Sequence, residues 1–246
     1  MPEREQHLAR LTWPEVAGAG ASRVLVVPVG STEQHGPHLP LGTDSVVAEA
    51  LAAALAGSCP WATIAPVLAF GSSGEHAGFP GTLSVGQRVL TDAVVELVRS
   101  SRGAFGGVVV VSAHGGNADA LAKAERRCTA DGDRVLVWSP RVPGGDAHAG
   151  RTETSLMLAL EPESVRLDQA VAGPADSLAA LMPALRSDGV RAVSPEGVLG
   201  DPTGASAAEG RALLAAMVED LSAAVTRWRA AVLDAGGVSA MSGGTR

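Results

Sequence analysis

At 246 residues, 46% of them hydrophobic, the chain is long enough to bury a full core as a single α/β domain. A formal net charge of -7 argues against a nucleic-acid or anionic-membrane partner, since both need a clustered basic surface. The only two cysteines, Cys59 and Cys128, form no metal or redox motif and fit buried small hydrophobes in a reducing, cytoplasmic compartment. The opening MPEREQHLARLTWPEV has no apolar signal core, and no run approaches the ~20 apolar residues needed to span a bilayer.

In chain order, the apolar run RVLVVPV predicts a strand over 23–29, and helical periodicity predicts a helix over 45–55. TIAPVLAF predicts a second strand over 63–70, followed by a helix over 86–102. GVVVVS (107–112), a helix over 117–129, RVLVWS (134–139) and a helix over 152–160 continue the alternation, and a long helix spans 205–233. Residues 140–150 and 197–204, rich in Gly and Pro, are loops, and the tail 236–246 is expected to be disordered after one domain over 1–235. Strands this uniformly apolar belong to a parallel sheet with helices on both faces. Thr43, Asp44, Ser84, Asn117 and Thr152 stand at predicted helix starts as capping types.

The polar residues fall in a pattern on that frame. Glu33, His35, His38 and Asp44 lie in GSTEQHGPHLPLGTD after the first strand; Glu75 and His76 follow the second; His114 and Asn117 the third; Asp146, His148 and Glu153 the fourth. Five of the six histidines are therefore placed beyond carboxyl ends of strands, where open α/β sheets bind ligands. Glu33 and His35, two apart in an extended segment, share a side. With Asp44 and His114 they make an imidazole and carboxylate shell suited to zinc, manganese or iron(II), and the lack of cysteine speaks against a purely structural zinc. A carboxylate bridging two ions would make hydrolysis the natural reaction class. His38 stays open between a hydrogen-bonding partner and a direct ligand, and Glu75 and His76 between a substrate loop and a plain turn. Asp146 can cap or orient, Trp13 and Trp138 are expected as core or interface aromatics, and Asn117 as a helix cap.

Five motifs carry a resemblance: GSTEQHGPHLPLGTD, HAGFPGT (76–82), SAHGGN (112–117), HAGRTETS (148–155) and GDPTGAS (200–206). In this order, over nearly the whole chain, they resemble the creatininase family of metal-dependent amidohydrolases. The resemblance implies a three-layer α/β/α sandwich with a central, mainly parallel sheet, two divalent ions per subunit (zinc, iron(II) or manganese), and a homo-oligomer, often a hexamer. By the same resemblance Glu33 and His114 hold the first ion, His35 the second, Asp44 bridges both, and His148 is the catalytic proton shuttle. The family's His-Tyr-Glu-Asn pattern is here His114-Gly115-Gly116-Asn117, so the second ion lacks a glutamate, for which Glu153 is the expected substitute. Loss of Tyr and Glu puts creatinine hydrolysis in doubt and implies a wide site with Glu75, His76, Gly115 and Gly116 toward the substrate. Within the family the chain looks similar to the peptidases of the mycofactocin system. That implies a modified ribosomally made precursor peptide as substrate, cut before its C-terminal Val-Tyr-derived pair. A small-molecule amidohydrolase acting on creatinine or a formamide remains the alternative.

Overall fold

In the computed structural model, residues 6–234 are described, so the predicted tail at 236–246 lies outside the described residues. Four parallel strands form one sheet in the order β2-β1-β3-β4, with β1 Val24–Val29, β2 Ala62–Ile64, β3 Gly107–Ser112 and β4 Val135–Trp138. The helices are α1 Trp13–Ala19, α2 Thr43–Ser58, α3 Gly86–Ser100, α4 Ala118–Ala130, α5 Arg151–Leu160, α6 Leu178–Asp188, α7 Val190–Val193 and α8 Ala207–Arg229. Alternate residues of β1 explain the three layers. Val24 and Val26 pack with Leu51 and Leu55 of α2, Leu156 of α5 and Leu221 of α8; Leu25, Val27 and Val29 pack with Val94 and Val98 of α3 and Leu121 of α4.

The strand order places the first crossover on one side of β1 and the later ones on the other, a topological switch between β1 and β3. Because Val29 lies beside Ser112, the loops after these two strands leave the sheet side by side. This juxtaposition gathers the polar residues.

Several expectations change in detail. The second strand stops at Ile64 rather than 70: after Ala65, whose N–H donates to the Val26 carbonyl at 2.8 Å, the chain slips by one residue and rejoins β1 through Leu68, whose N–H donates to the Pro28 carbonyl at 2.9 Å. No element is predicted between 161 and 204, yet α6 forms there with Pro183 inside it, and the proline masks its periodicity. Helix α1 is also missed, although Thr12-Trp13-Pro14-Glu15 is a helix-start pattern and the Glu15 carboxylate accepts the Thr12 N–H at 2.6 Å. Of the two tryptophans expected in a core or interface, Trp13 is 82% exposed and so lies outside the core, whereas Trp138 is buried and donates to Asp220. Asn117 does not cap α4. Its carboxamide accepts from Ser72 N and donates to Gly30 O, tying together the three loops that leave β1, β2 and β3.

Candidate active site

The site begins with β1. After Val29 the chain stays extended, and Glu33 and His35 project to one side as their spacing predicts, both fully buried. Asp44 returns in the first turn of α2, where the helix N-terminus favours a carboxylate, and Ser31 Oγ donates to its Oδ2 at 2.8 Å. His114 arrives directly after β3. His148 and Glu153 come from the turn before α5 and its first turn. That turn is built by Asp146, whose carboxylate accepts the N–H groups of Arg151 and Thr152 and so caps α5 in place of Thr152. Ala149 adopts φ 50°, and its N–H donates to Glu153 Oε2 at 2.5 Å, fixing that carboxylate.

These side chains converge. Three groups place potential ligand atoms within 4.8 Å of one another: Glu33, His35 and Asp44; His35, His148 and Glu153; and Glu33, His76 and His148. Asp44 divides its oxygens, Oδ1 lying 3.4 Å from His35 Nε2 and Oδ2 lying 3.4 Å from His114 Nδ1. His114 Nε2 lies 3.2 Å from Glu33 Oε2 and 3.5 Å from Glu75 Oε1. His76 thus stands beside Glu33, 3.2 Å from its Oε1, closer to the ligand cluster than a peripheral substrate loop would place it. His38 is held apart, its Nε2 bonded to Thr154 Oγ1 at 2.9 Å.

The two glycines after His114 differ. A Cβ on Gly115 would meet nothing within 4 Å, consistent with an open approach. A Cβ on Gly116 would overlap Glu75 Oε1 and His114 Nε2. Space beside His114 is therefore occupied by the Glu75 carboxylate, and the expected wide site is open only on the Gly115 side.

Electrostatics indicate a place for positive charge. Burial works to lower the His35 pKa, but Asp44 above all, then Glu153 and Glu33, hold it up at about 9. Burial likewise opposes the charged form of Glu33, yet His114, His76 and His35 bring its pKa well below the ordinary value. His114 is held well above its ordinary value against burial by Glu33, Glu75 and Asp44. His76 goes the other way, to about 4, through burial and the neighbouring His148. Both Glu33 oxygens and His35 Nε2 are buried without a hydrogen-bond partner. His76 Nε2 and His114 Nε2 each lie 3.2 Å from one of the Glu33 oxygens, within ion-pair distance. His35 Nδ1 lies 3.1 Å from the Glu33 carbonyl, which can only accept, so Nδ1 donates there and Nε2 is turned toward Asp44 and Glu153. A backbone-anchored imidazole with its other nitrogen among carboxylates is the arrangement of a metal-binding histidine. The residues fit divalent cations.

Residues 9–225 match the creatininase family, described as creatinine amidohydrolase. The chain belongs to the creatininase family. It is 46% identical over 232 residues to the mycofactocin precursor peptide peptidase of Mycolicibacterium smegmatis, a match covering 89% of this chain and 94% of that one. Among solved structures, one described as "Creatininase Mn" superposes with a TM-score of 0.73 at 28% identity, covering 92% of this chain and 98% of the other. A mutant creatininase of "Zn-Zn type" gives 0.73 at 27% identity over the same shares. The parallel sheet, the helices on both its faces and the polar cluster at the carboxyl ends of its strands are thus those of a creatininase-family chain.

Gln34 was missed by sequence reasoning. Alternation from Glu33 and His35 sends its side chain the opposite way, which at the surface would mean solvent. Here that side is also closed, by His76, His148 and the 194–200 loop, and Gln34 is buried.

Proposed function

We propose that this chain is a metal-dependent amidohydrolase that releases the C-terminal Val-Tyr-derived pair from a modified, ribosomally made precursor peptide in mycofactocin biosynthesis. The observation that carries the hydrolytic reading is the set of buried ligand atoms without partners, Glu33 Oε1 and Oε2 and His35 Nε2, around the divided carboxylate of Asp44. Identity of 46% along most of both chains to a precursor peptide peptidase supports the substrate. The manganese and zinc creatininase structures support divalent ions.

In this reading Glu33, Asp44 and His114 would hold one ion and His35, Asp44 and Glu153 the other. Ions so held would supply Lewis-acid polarisation of an amide carbonyl and would lower the pKa of water toward neutrality. His148 Nδ1, 3.8 Å from Glu153 Oε2 and 3.9 Å from Glu33 Oε1, takes a proton at the reacting centre and returns it to the leaving nitrogen. Glu75, His76, Gly115 and Gly116 border the approach, and the open side at Gly115 admits a peptide backbone. A homo-oligomer such as a hexamer is the assembly this reading carries over from the family resemblance.

The test is metal analysis of the purified chain together with mass-spectrometric assay of the modified precursor peptide ending in the Val-Tyr pair, with creatinine and a formamide in parallel. The expected result is release of the pair that a chelator abolishes and a divalent ion restores. Turnover of the small amides alone would move the chain to the small-molecule alternative; peptide cleavage indifferent to chelation would remove the metal.

A further inference from the structure

Gln34 supplies two different groups to two imidazoles. Its side-chain orientation is fixed by main-chain partners that admit only one assignment: Oε1 accepts the Gly36 N–H at 2.8 Å, and Nε2 donates to the Gly197 carbonyl at 3.0 Å. The remaining hydrogen on Nε2 then points to His76 Nδ1 at 2.9 Å. A donor facing Nδ1 requires a lone pair there, so the single proton of neutral His76 resides on Nε2, the nitrogen 3.2 Å from Glu33 Oε1. The main-chain carbonyl of Gln34 meets His148 Nε2 at 2.8 Å and can only accept, so His148 also carries its proton on Nε2 and turns a bare Nδ1 toward Glu33 and Glu153. The 3.1 Å approach of Gln34 Nε2 to the same His148 nitrogen is a contact between two donors, since both amide hydrogens are already engaged.

The backbone is shaped around this carboxamide. Gly36 and Gly197 have φ of 65° and 81°, and a Cβ on Gly197 would overlap Gln34 Oε1. Glycine at 197 is what lets the 194–200 loop close over Gln34.

We propose that Gln34 is a positioning residue that sets the protons of two site imidazoles, holding His76 with an N–H toward the site and His148 with a bare Nδ1 toward it. The two histidines, similar in burial and place, then have opposite roles. His148 offers a lone pair that can accept a proton or bind a cation. His76 offers only a donor and, while neutral, is no ligand through Nε2; that N–H is available to the carbonyl oxygen of a bound amide. The assignment of protons rests on geometry alone, whereas its catalytic consequence rests on the amidohydrolase reading.

The experiment is long-range nitrogen-proton NMR on the full zinc-loaded chain with 15N-labelled histidine, comparing wild type with Gln34→Glu and Gln34→Met, alongside peptide turnover. The wild type is expected to show His76 protonated on Nε2 and bare on Nδ1. Gln34→Glu, which puts an acceptor at His76 Nδ1, is expected to move that proton to Nδ1, and Gln34→Met to leave His76 without one fixed tautomer. In both variants kcat should fall about 10- to 100-fold, the scale for groups that orient site ligands, with KM nearly unchanged. Wild-type His76 bare on Nε2 would overturn the proton assignment even if no variant folds, and folded variants with wild-type tautomers or undiminished kcat would overturn the positioning role. Tautomers as assigned in a wild type that cleaves no peptide would count against the peptidase reading and leave the proton assignment standing.

Discussion

In the proposed reading, Glu153 is the residue on which a second ion would depend. Its Oε2 lies 3.9 Å from His35 Nε2 and 3.8 Å from His148 Nδ1, and it is anchored by the Ala149 N–H rather than free in solvent. Glu153→Gln keeps size and an accepting oxygen but removes the charge. It is expected to lower bound metal by about one ion per subunit, with turnover down about 100-fold on the scale of acid-base and ligand-support losses. Elemental analysis that finds the wild-type metal content in this variant would take Glu153 out of the ligand set. Glu33 and His35 were legible at this scale because a period of two needs only an extended chain. Gln34 was not, because whether the opposite side faces water depends on loops more than 100 residues away in sequence, at His148 and Gly197.

At the scale of elements, α5 carries Glu153 and lies against α8, where the meeting surface leaves no room at Gly210. A Cβ there would overlap the Ser155 carbonyl, a main-chain atom that cannot rotate away. Gly210→Ala is expected to destabilise the fold by ~1–3 kcal/mol as an overpacked contact, and to weaken metal binding by displacing the first turn of α5. Urea unfolding and a metal titration check both; unchanged midpoints would mean the helices part at no cost. The sequence shows that α8 exists, since its apolar positions recur with helical period. It does not show which glycine lies at the crossing. Of the two capping residues the sequence offered near α5, Asp146 takes the role and Thr152 does not, because a carboxylate reaching across from a preceding turn is a three-dimensional relation.

For the whole molecule, the charges of the site link stability, pH and metal. In chain stripped of metal, His35 is held at about 9 against an ordinary 6.5, so the stability it contributes is complete below 6.5 and is lost as pH rises through about 9. Glu33 and Asp44 are lowered, so their contribution is present above the ordinary carboxylate range and disappears as pH falls beneath it. A bound cation replaces the His35 proton, so metal affinity should rise by up to about tenfold per pH unit for each proton displaced, until about 9. The difference in Tm between metal-loaded and chelated chain is therefore expected to widen from pH 6 to pH 8.5. A constant or shrinking difference in scanning calorimetry would show that no proton competes with the ion at His35.

Period and composition determined the parallel α/β architecture, the extended placement of Glu33 and His35 and the loops that bear the chemistry, because these follow from local geometry and from which faces are apolar. Only the tertiary structure decided that β2 slips out of the ladder after Ala65, that Glu75 fills the space beside Gly116, that Asn117 ties three loops, and that Gln34 faces two imidazoles. Each of these depends on the approach of segments far apart in the chain, and an amide or carboxylate does not reveal its partner until the backbone has brought that partner within hydrogen-bonding distance.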